Sequence, residues 1–260
     1  MIDRNYRYLG SCVLLAAAMA AAGPARAADM HEHGMKDMVE PEHVGGVWTG
    51  FYLGGHAGLG QGSFRPTEVD PVFGALIDED LDHNPDGAVF GIQAGYNWQR
   101  SRWVFGIEGD VALSNVKGNL TYDFDIPGGD DTIDTFTDSQ TSELKYLATL
   151  RARIGVDVGP MLLYATGGLA LGKVDSTFDV TVAGAGPLQD GAISGSDSVT
   201  HVGYAVGGGV EAWLRQDVSV KGEYIYADLG EKVHQPVAGI PGEPFDLDIH
   251  LVRFGLNFHF

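Results

Sequence analysis

The chain has 260 residues, a formal net charge of −19 and one cysteine, Cys12. Such an acidic chain disfavours nucleic acid as a partner, because phosphate binding needs a basic face. Cys12 lies inside the N-terminal segment that is expected to be cleaved, so the sequence excludes a disulfide framework, a thiolate metal site and a cysteine nucleophile in the mature chain.

The first 27 residues are typical of a bacterial export signal. Arg4 and Arg7 supply positive charge, Cys12–Ala22 is an unbroken run of apolar and small residues, and Ala25-Arg26-Ala27 has the small-x-small pattern of a cleavage site. The run is too short to cross a bilayer as a helix, which needs about 20 residues. The sequence therefore predicts a signal peptide over residues 1–27.

Residues 28–47 form a polar segment that contains methionines and three histidines: His31, His33 and His43. Histidines on a tail can bind copper, nickel or zinc, which makes them weak metal-ligand candidates. Their spacing matches no structural metal motif, so we interpret the segment as a flexible linker and expect neither a metal nor another cofactor.

From Trp48 onward, alternating segments rich in aromatics, Val, Leu and Gly are separated by acidic, Gly- and Pro-containing stretches. This pattern favours strands over helices. It predicts eight of them: Thr49–Ser63, Ala88–Arg100, Trp103–Val116, Ser142–Val158, Met161–Thr177, Val199–Arg215, Val218–Leu229 and Phe245–Phe260.

Short and long connections alternate between these strands. The short ones are Ser101-Arg102, Gly159-Pro160 and Gln216-Asp217, and the long ones are 64–87, 117–141, 178–198 and 230–244. Long loops at one end and tight turns at the other are typical of bacterial transmembrane barrels, whose short turns face the periplasm. The predicted fold class is all-β: an eight-stranded antiparallel transmembrane β-barrel over residues 48–260, in the bacterial outer membrane.

Alternation within the strands places apolar side chains on one face and charges of both signs on the other. An eight-stranded barrel has an interior that side chains can just fill. We expect the inward charges to form a network. It is either a salt-bridged plug, which we favour, or the lining of a narrow pore. Its members are Glu108, Asp110, Lys145, Arg151, Arg153, Glu211, Lys221, Glu223 and Arg253.

Other residue groups point to less specific sites. Aromatics near the strand ends are expected in interfacial girdles: Trp48, Tyr52, Trp98, Trp103, Tyr164, Trp213, Tyr224 and Tyr226. The first two long connections are rich in acids, but no stretch has the spacing of a calcium-binding loop, so a solvated surface is favoured. His201 near Ser196 and Ser198 is the nearest approach to a hydrolytic pair, and its spacing is not diagnostic.

Two stretches resemble a known family. Trp48–Gly58 and Leu251–Phe260 are similar to the first and last strands of small alphaproteobacterial outer-membrane barrels, a porin-like branch of the OmpA-like superfamily. The resemblance implies an eight-stranded barrel exposed as a surface antigen and tied to envelope integrity. It also implies that Phe254, Phe258 and Phe260 belong to a signal read by the barrel-assembly machinery.

The sequence as a whole predicts a non-enzymatic structural and surface protein of the envelope. Outer-membrane lipids and lipopolysaccharide are the expected partners, together with the assembly machinery. Two alternatives stay open: a narrow porin for ions or small solutes, and a surface receptor that binds an extracellular ligand or a metal.

Overall fold

The computed structural model describes residues 48–66, 85–127, 133–184, 191–234 and 243–260. Each strand pairs antiparallel with the next, and β1 also pairs with β8, which closes the sheet into a barrel. The predicted fold class is thereby confirmed. The strands are β1 (Gly50–Pro66), β2 (Asp86–Arg100), β3 (Trp103–Pro127), β4 (Ile133–Asp157), β5 (Met161–Gly184), β6 (Gly191–Trp213), β7 (Val218–His234) and β8 (Glu243–His259).

The three tight connections lie at one end of the barrel, called here the short-turn end. The β2–β3 turn contains Ser101 at φ 58°, and the β4–β5 turn contains Gly159 at φ 94°, backbone conformations that tight hairpins require. The first and last strands also meet there, since the amide of Phe260 donates to the carbonyl of Phe51 at 2.9 Å. No helix in the described part of the chain is long and apolar enough to cross a membrane.

At the opposite end, called the hairpin end, the strands are much longer than the sequence predicts. The four strands β3 to β6 have 25, 25, 24 and 23 residues. A tilted strand needs only about 9–11 residues to cross a bilayer. The prediction of structureless loops over 117–141 and 178–198 is therefore wrong for most of those residues.

Two properties explain this extension. First, once two neighbouring strands are aligned in the barrel, further residues can join the antiparallel pair without closing a new loop. Second, the added segments contain β-branched and aromatic residues, which favour strands, as in Thr177–Val182. Most of the acidic first connection, residues 67–84, lies outside the described residues, as do Asp130 and Asp131 of the second. Asp123 and Asp138 of the second connection lie on β3 and β4.

The apolar face points outward. Large side chains such as Leu113, Leu59 and Ile92 are 66–71% exposed, and alternate residues point into the barrel and are buried. A water-soluble barrel has the opposite arrangement, with its apolar face inside. The outward surface is therefore the lipid-facing band.

A bulge in β4 changes which residues face inward. Leu144 pairs with Val174 of β5 and Tyr146 pairs with Lys173, so Lys145 is an extra residue on β4. Strict alternation would put Leu144 on the lipid face with Tyr146. Because the extra residue shifts the phase, Leu144 is instead buried inside the barrel.

Candidate functional site

The middle of the lumen holds a dense ion network. Arg151 donates from Nη2 to Glu108 Oε1 at 2.6 Å, and Lys221 donates to Glu108 Oε2 at 2.8 Å. Arg253 donates to Asp110 Oδ1 at 2.7 Å and to Glu223 Oε1 at 2.6 Å. Four of the barrel's strands, β3, β4, β7 and β8, are thus tied together through their inward side chains.

A second group lies closer to the short-turn end. Arg153 donates to Glu211, which also accepts from Ser219 and, at 2.7 Å, from Asn257. The guanidinium of Arg153 lies 3.8 Å from the centre of the Tyr164 ring. These contacts connect β4, β5, β6, β7 and β8 in the same way.

The charges of this ion network balance. Four acids and four bases are at most 4% exposed, and each contacts an opposite charge: Glu108, Asp110, Glu211 and Glu223 against Arg151, Arg153, Lys221 and Arg253. Eight of the nine residues predicted from the sequence are therefore brought together inside the barrel. Because buried charges are tolerable only when paired, the arrangement accounts for how so polar a lumen can fold.

The expectation for the ninth residue, Lys145, is wrong. Its side chain is 42% exposed and its Nζ lies 2.7 Å from Glu143 Oε2, away from the buried network. The cause is the β4 bulge, because Lys145 is the extra residue there and does not continue the inward series of Thr149 and Arg151.

Four aromatic residues expected in the interfacial girdles pack inside the barrel instead: Trp48, Tyr52, Tyr164 and Trp213. The Tyr52 hydroxyl donates to Glu108 Oε2 at 2.7 Å, and Tyr164 packs against Arg153. Trp48 is fully buried, and its ring centre lies 4.7 Å from that of Trp213. Trp98 and Trp103 do face outward, at 50% and 51% exposure.

Small inward residues make room for these large ones. A side chain at Gly95 would place its Cβ 2.3 Å from the Tyr52 hydroxyl, so the tyrosine occupies the space above that glycine. The sequence shows glycines throughout the strands, but it does not show which large side chain each one accommodates.

Two apolar layers enclose the ion network. At the short-turn end, Trp48 packs with Val104, Leu162 and Tyr164, with Trp213 against them. Toward the hairpin end, a larger cluster fills the lumen: Val89, Ala112, Val116, Leu144, Leu147, Ala170, Val174, Ala205, Ile225, Ala227, Leu229, Leu247, Ile249 and Leu251. The sequence analysis missed both layers. One signal was present, since β7 runs Tyr224-Ile225-Tyr226-Ala227 with no charge on either face.

The remaining candidates do not form a catalytic or metal site in the described residues. His201 is buried and its ring lies 3.3 Å from the Gly230 carbonyl, whereas Ser196 and Ser198 are exposed on the opposite face of β6. No group of three or more metal-ligating side chains occurs among the described residues. His31, His33 and His43 lie outside them, as does the predicted signal peptide.

The C-terminal aromatics all face outward. Phe254 is 50% exposed, Phe258 is 55% exposed and Phe260 is 83% exposed. They form an accessible row on the last strand, and their part in assembly stays a prediction.

A protein-family model described as the outer membrane protein beta-barrel domain matches residues 12–260. The chain belongs to this family. One relative of this outer-membrane barrel is the 31 kDa outer-membrane immunogenic protein of Brucella melitensis, 33% identical over 217 residues, which are 82% of this chain and 84% of that protein. Another is the 22 kDa outer membrane protein of Rhizobium leguminosarum bv. viciae, 31% identical over 220 residues, which are 84% and 82% of the two chains.

Among solved structures, the outer membrane protein OprG from Pseudomonas aeruginosa is similar with a TM-score of 0.41 and 13% identity, over 83% of this chain and 99% of that one. The family and the named relatives locate this barrel in the outer membrane. In outer-membrane barrels the short turns face the periplasm and the longer connections face outward.

Proposed function

We propose that this protein is a closed, non-enzymatic barrel that serves as a structural and surface component of the outer membrane. The observation that carries the proposal is the filled lumen, in which an ion network lies between two apolar layers. The interior of an eight-stranded barrel is small enough for side chains to fill it completely.

The apolar layer toward the hairpin end argues against the narrow porin. Leu144, Ile225 and Leu251 are each at most 1% exposed. An ion passing them would have to lose its water without gaining polar contacts, which is strongly unfavourable. The charges between the two apolar layers are paired with one another, so they are not free to line a conducting path.

The hairpin end supports a surface role. β3 to β6 continue as a paired sheet far beyond the length that a bilayer needs, and exposed acids such as Asp123 and Asp179 lie on this extension. Paired strands hold such a surface in a defined shape. The Brucella relative is named an immunogenic outer-membrane protein, which agrees with surface exposure.

The positions of the candidate hydrolytic residues support a non-enzymatic protein. Successive strand residues point to opposite faces, so His201 points inward while Ser198 and Thr200 point outward. Ser198 instead donates to Asp175 Oδ1 at 2.7 Å. A histidine base and a serine nucleophile must be within hydrogen-bond reach, and these are on opposite sides of a sheet.

Single-channel recording in a planar bilayer tests the closed lumen. We expect no discrete conductance steps from protein whose folding is verified in the same sample by heat-modifiable gel mobility. Reproducible steps of uniform size would contradict the proposal and favour the narrow porin. Saturable metal binding lost on deleting residues 28–47 would favour the receptor instead.

A further inference from the structure

Trp48 closes the short-turn mouth of the barrel although it lies outside the strands. It comes two residues before β1, and its side chain is fully buried. The centre of its ring lies 4.7 Å from that of Trp213 and 6.1 Å from that of His259, and the ring packs with Val104 and Leu162. The segment that precedes the barrel thus supplies the centre of the apolar layer at this end.

The backbone turns at Gly50, which brings Trp48 inward. Gly50 has φ 147°, and a Cβ there would lie 2.7 Å from the carbonyl oxygen of Phe260, so glycine alone fits this turn without displacing Phe260. The pairing of β1 with β2 begins at Gly50, and its pairing with β8 begins at Tyr52. Trp48 can therefore leave the lumen without breaking a residue pair of the sheet.

Hydrogen bonds through one side chain hold Trp48 at the rim. Its amide donates to Gln99 Oε1 at 2.8 Å, and Gln99 Nε2 donates to Asp157 Oδ2 at 2.7 Å. The amide of Gln99 donates to Thr49 Oγ1 at 2.9 Å. Gln99 thus ties the segment that carries Trp48 to the ends of β2 and β4. Because these contacts are partly exposed, water can replace them at a small net cost.

Three inward polar residues follow the Trp48 layer along the strands: Asn97 on β2, Arg153 on β4 and Thr166 on β5. Gly106 pairs in register with both Asn97 and Arg153, and Arg153 also pairs with Thr166. The Asn97 carboxamide occupies the space above Gly106, where a side chain would collide with it, so it reaches toward Arg153. These three residues are called the polar chamber below.

The polar chamber has more hydrogen-bonding groups than its protein neighbours satisfy. Both carboxamide atoms of Asn97, the Nε and Nη1 of Arg153 and the Oγ1 of Thr166 are buried and have no hydrogen-bond partner among the described residues. Asn97 is 0% exposed and Arg153 is 4% exposed. Leaving such groups unpaired is costly, and internal water is what usually satisfies them.

We propose that Trp48 is a removable stopper and that, when it leaves, the polar chamber takes up water and small polar solutes from the short-turn side. The indole N–H groups of Trp48 and Trp213 are also buried without a partner in the described part of the chain, whereas a buried tryptophan N–H is usually hydrogen-bonded. Withdrawal of Trp48 hydrates these groups together with Asn97 and Arg153. That gain offsets part of the apolar burial that Trp48 loses.

We expect the polar chamber to be accessible from the short-turn side only. The inference deepens the proposed function and rests on it in one respect, that the apolar layer toward the hairpin end stays closed. Ala170 and Ala205 belong to that layer and are 0% exposed. A solute admitted when Trp48 leaves therefore reaches the polar chamber but does not cross the barrel.

The test measures how fast a water-soluble thiol reagent, methanethiosulfonate-ethylammonium, modifies a cysteine placed in the polar chamber. Cys12 is the one cysteine of the chain, so Cys12→Ser combined with Thr166→Cys leaves a single reporter. In the full-length barrel folded in detergent, we expect Trp48→Ala to raise the modification rate by on the order of 10-fold, because modification no longer waits for a rare local opening. Heat-modifiable gel mobility verifies folding in each sample.

Matched variants locate the effect. Trp103→Ala removes an outward tryptophan near the same end, 51% exposed, and should leave the rate unchanged. Gln99→Ala keeps the indole but removes the acceptor of the Trp48 amide, so it should raise the rate by less than Trp48→Ala does. A second reporter, Ala205→Cys, lies in the apolar layer toward the hairpin end and should stay unreactive with or without Trp48.

Equal rates at Thr166→Cys with Trp48 and with Trp48→Ala would overturn the inference. So would a parallel rise at Ala205→Cys, since Trp48→Ala would then loosen the whole barrel rather than open one chamber. If Trp48→Ala does not fold, Gln99→Ala decides, and an unchanged rate in that variant overturns the stopper. Conductance steps from wild type would contradict the closed lumen of the proposed function and leave the thiol rates standing.

Discussion

Arg253 on the last strand donates to Asp110 on the third, with 2.7 Å between Nη1 and Oδ1 and a sequence separation of 143. Both side chains are at most 1% exposed. Asp110 also accepts from Thr149 and Arg151, and Arg253 also donates to Glu223, so the pair joins two sides of the barrel through its interior.

Removing one member of this pair should strongly destabilise the barrel. Asp110→Asn or Arg253→Met leaves the buried network with one unbalanced charge, which costs about 3–5 kcal/mol in the free energy of unfolding. The double variant restores neutrality, so its loss should be smaller than the sum of the two single losses. Urea titration of refolded protein in detergent micelles measures all three. Additive losses, or wild-type midpoints in the single variants, would contradict a coupled network.

The packing of the apolar layer toward the hairpin end can be tested by comparing two leucines on one strand. Leu251 and Leu256 both lie on β8, but Leu251 is 1% exposed inside the lumen and Leu256 is 49% exposed on the lipid face. Leu251→Ala leaves a cavity and should lower the free energy of unfolding by about 2–5 kcal/mol. Leu256→Ala should cost less, because lipid or detergent fills the space. The same urea titration distinguishes them, and equal losses would contradict a packed inner layer.

Two glycines should respond differently to an added methyl group. A Cβ at Gly168 would lie 2.1 Å from the backbone oxygen of Leu150, whereas the nearest atoms to a Cβ at Gly109 are 3.8 Å away. Gly168→Ala should therefore force the β4 and β5 backbones apart and destabilise the barrel by about 1–3 kcal/mol. Gly109→Ala should be close to neutral in the same unfolding experiment. A neutral Gly168→Ala would show that the two strands are not packed so closely.

The last residue should matter for assembly more than for stability. Phe260 is 83% exposed, so its side chain contributes little packing to the folded barrel. We expect Phe260→Ala to unfold at nearly the wild-type urea concentration after refolding in vitro. In cells it should reduce the amount of folded protein in the outer-membrane fraction, with Phe51→Ala, another outward phenylalanine, as the control. Equal cellular yields for both variants would argue against an assembly signal.

Much of the barrel follows from the sequence because period-two alternation and turn composition are local properties. The eight strands, the tight turn at Ser101-Arg102 and the outward face of β3 could all be predicted from neighbouring residues. Charges on inward positions, such as Glu108 and Arg151, could be predicted too, because a charge on a lipid-facing strand is expensive and therefore belongs on the other face.

The prediction from the sequence was wrong for residues whose chemistry suits both the membrane interface and the lumen. Tyrosine and tryptophan are stable at a membrane interface and also in a lumen that offers a polar partner. Only the barrel's closure brings Glu108 to the Tyr52 hydroxyl and Trp213 to Trp48. Their positions were decided by residues more than 50 places away in the chain.

The sequence by itself determined the class of fold, the number of strands, the two faces and most of the ion network, because each depends on the alternation of neighbouring side chains. The tertiary structure alone decided the partners within that network, the extra residue at Lys145 and the apolar layers that close the lumen. These depend on the register between strands, and a shift of one residue in one strand reverses which side chains point inward.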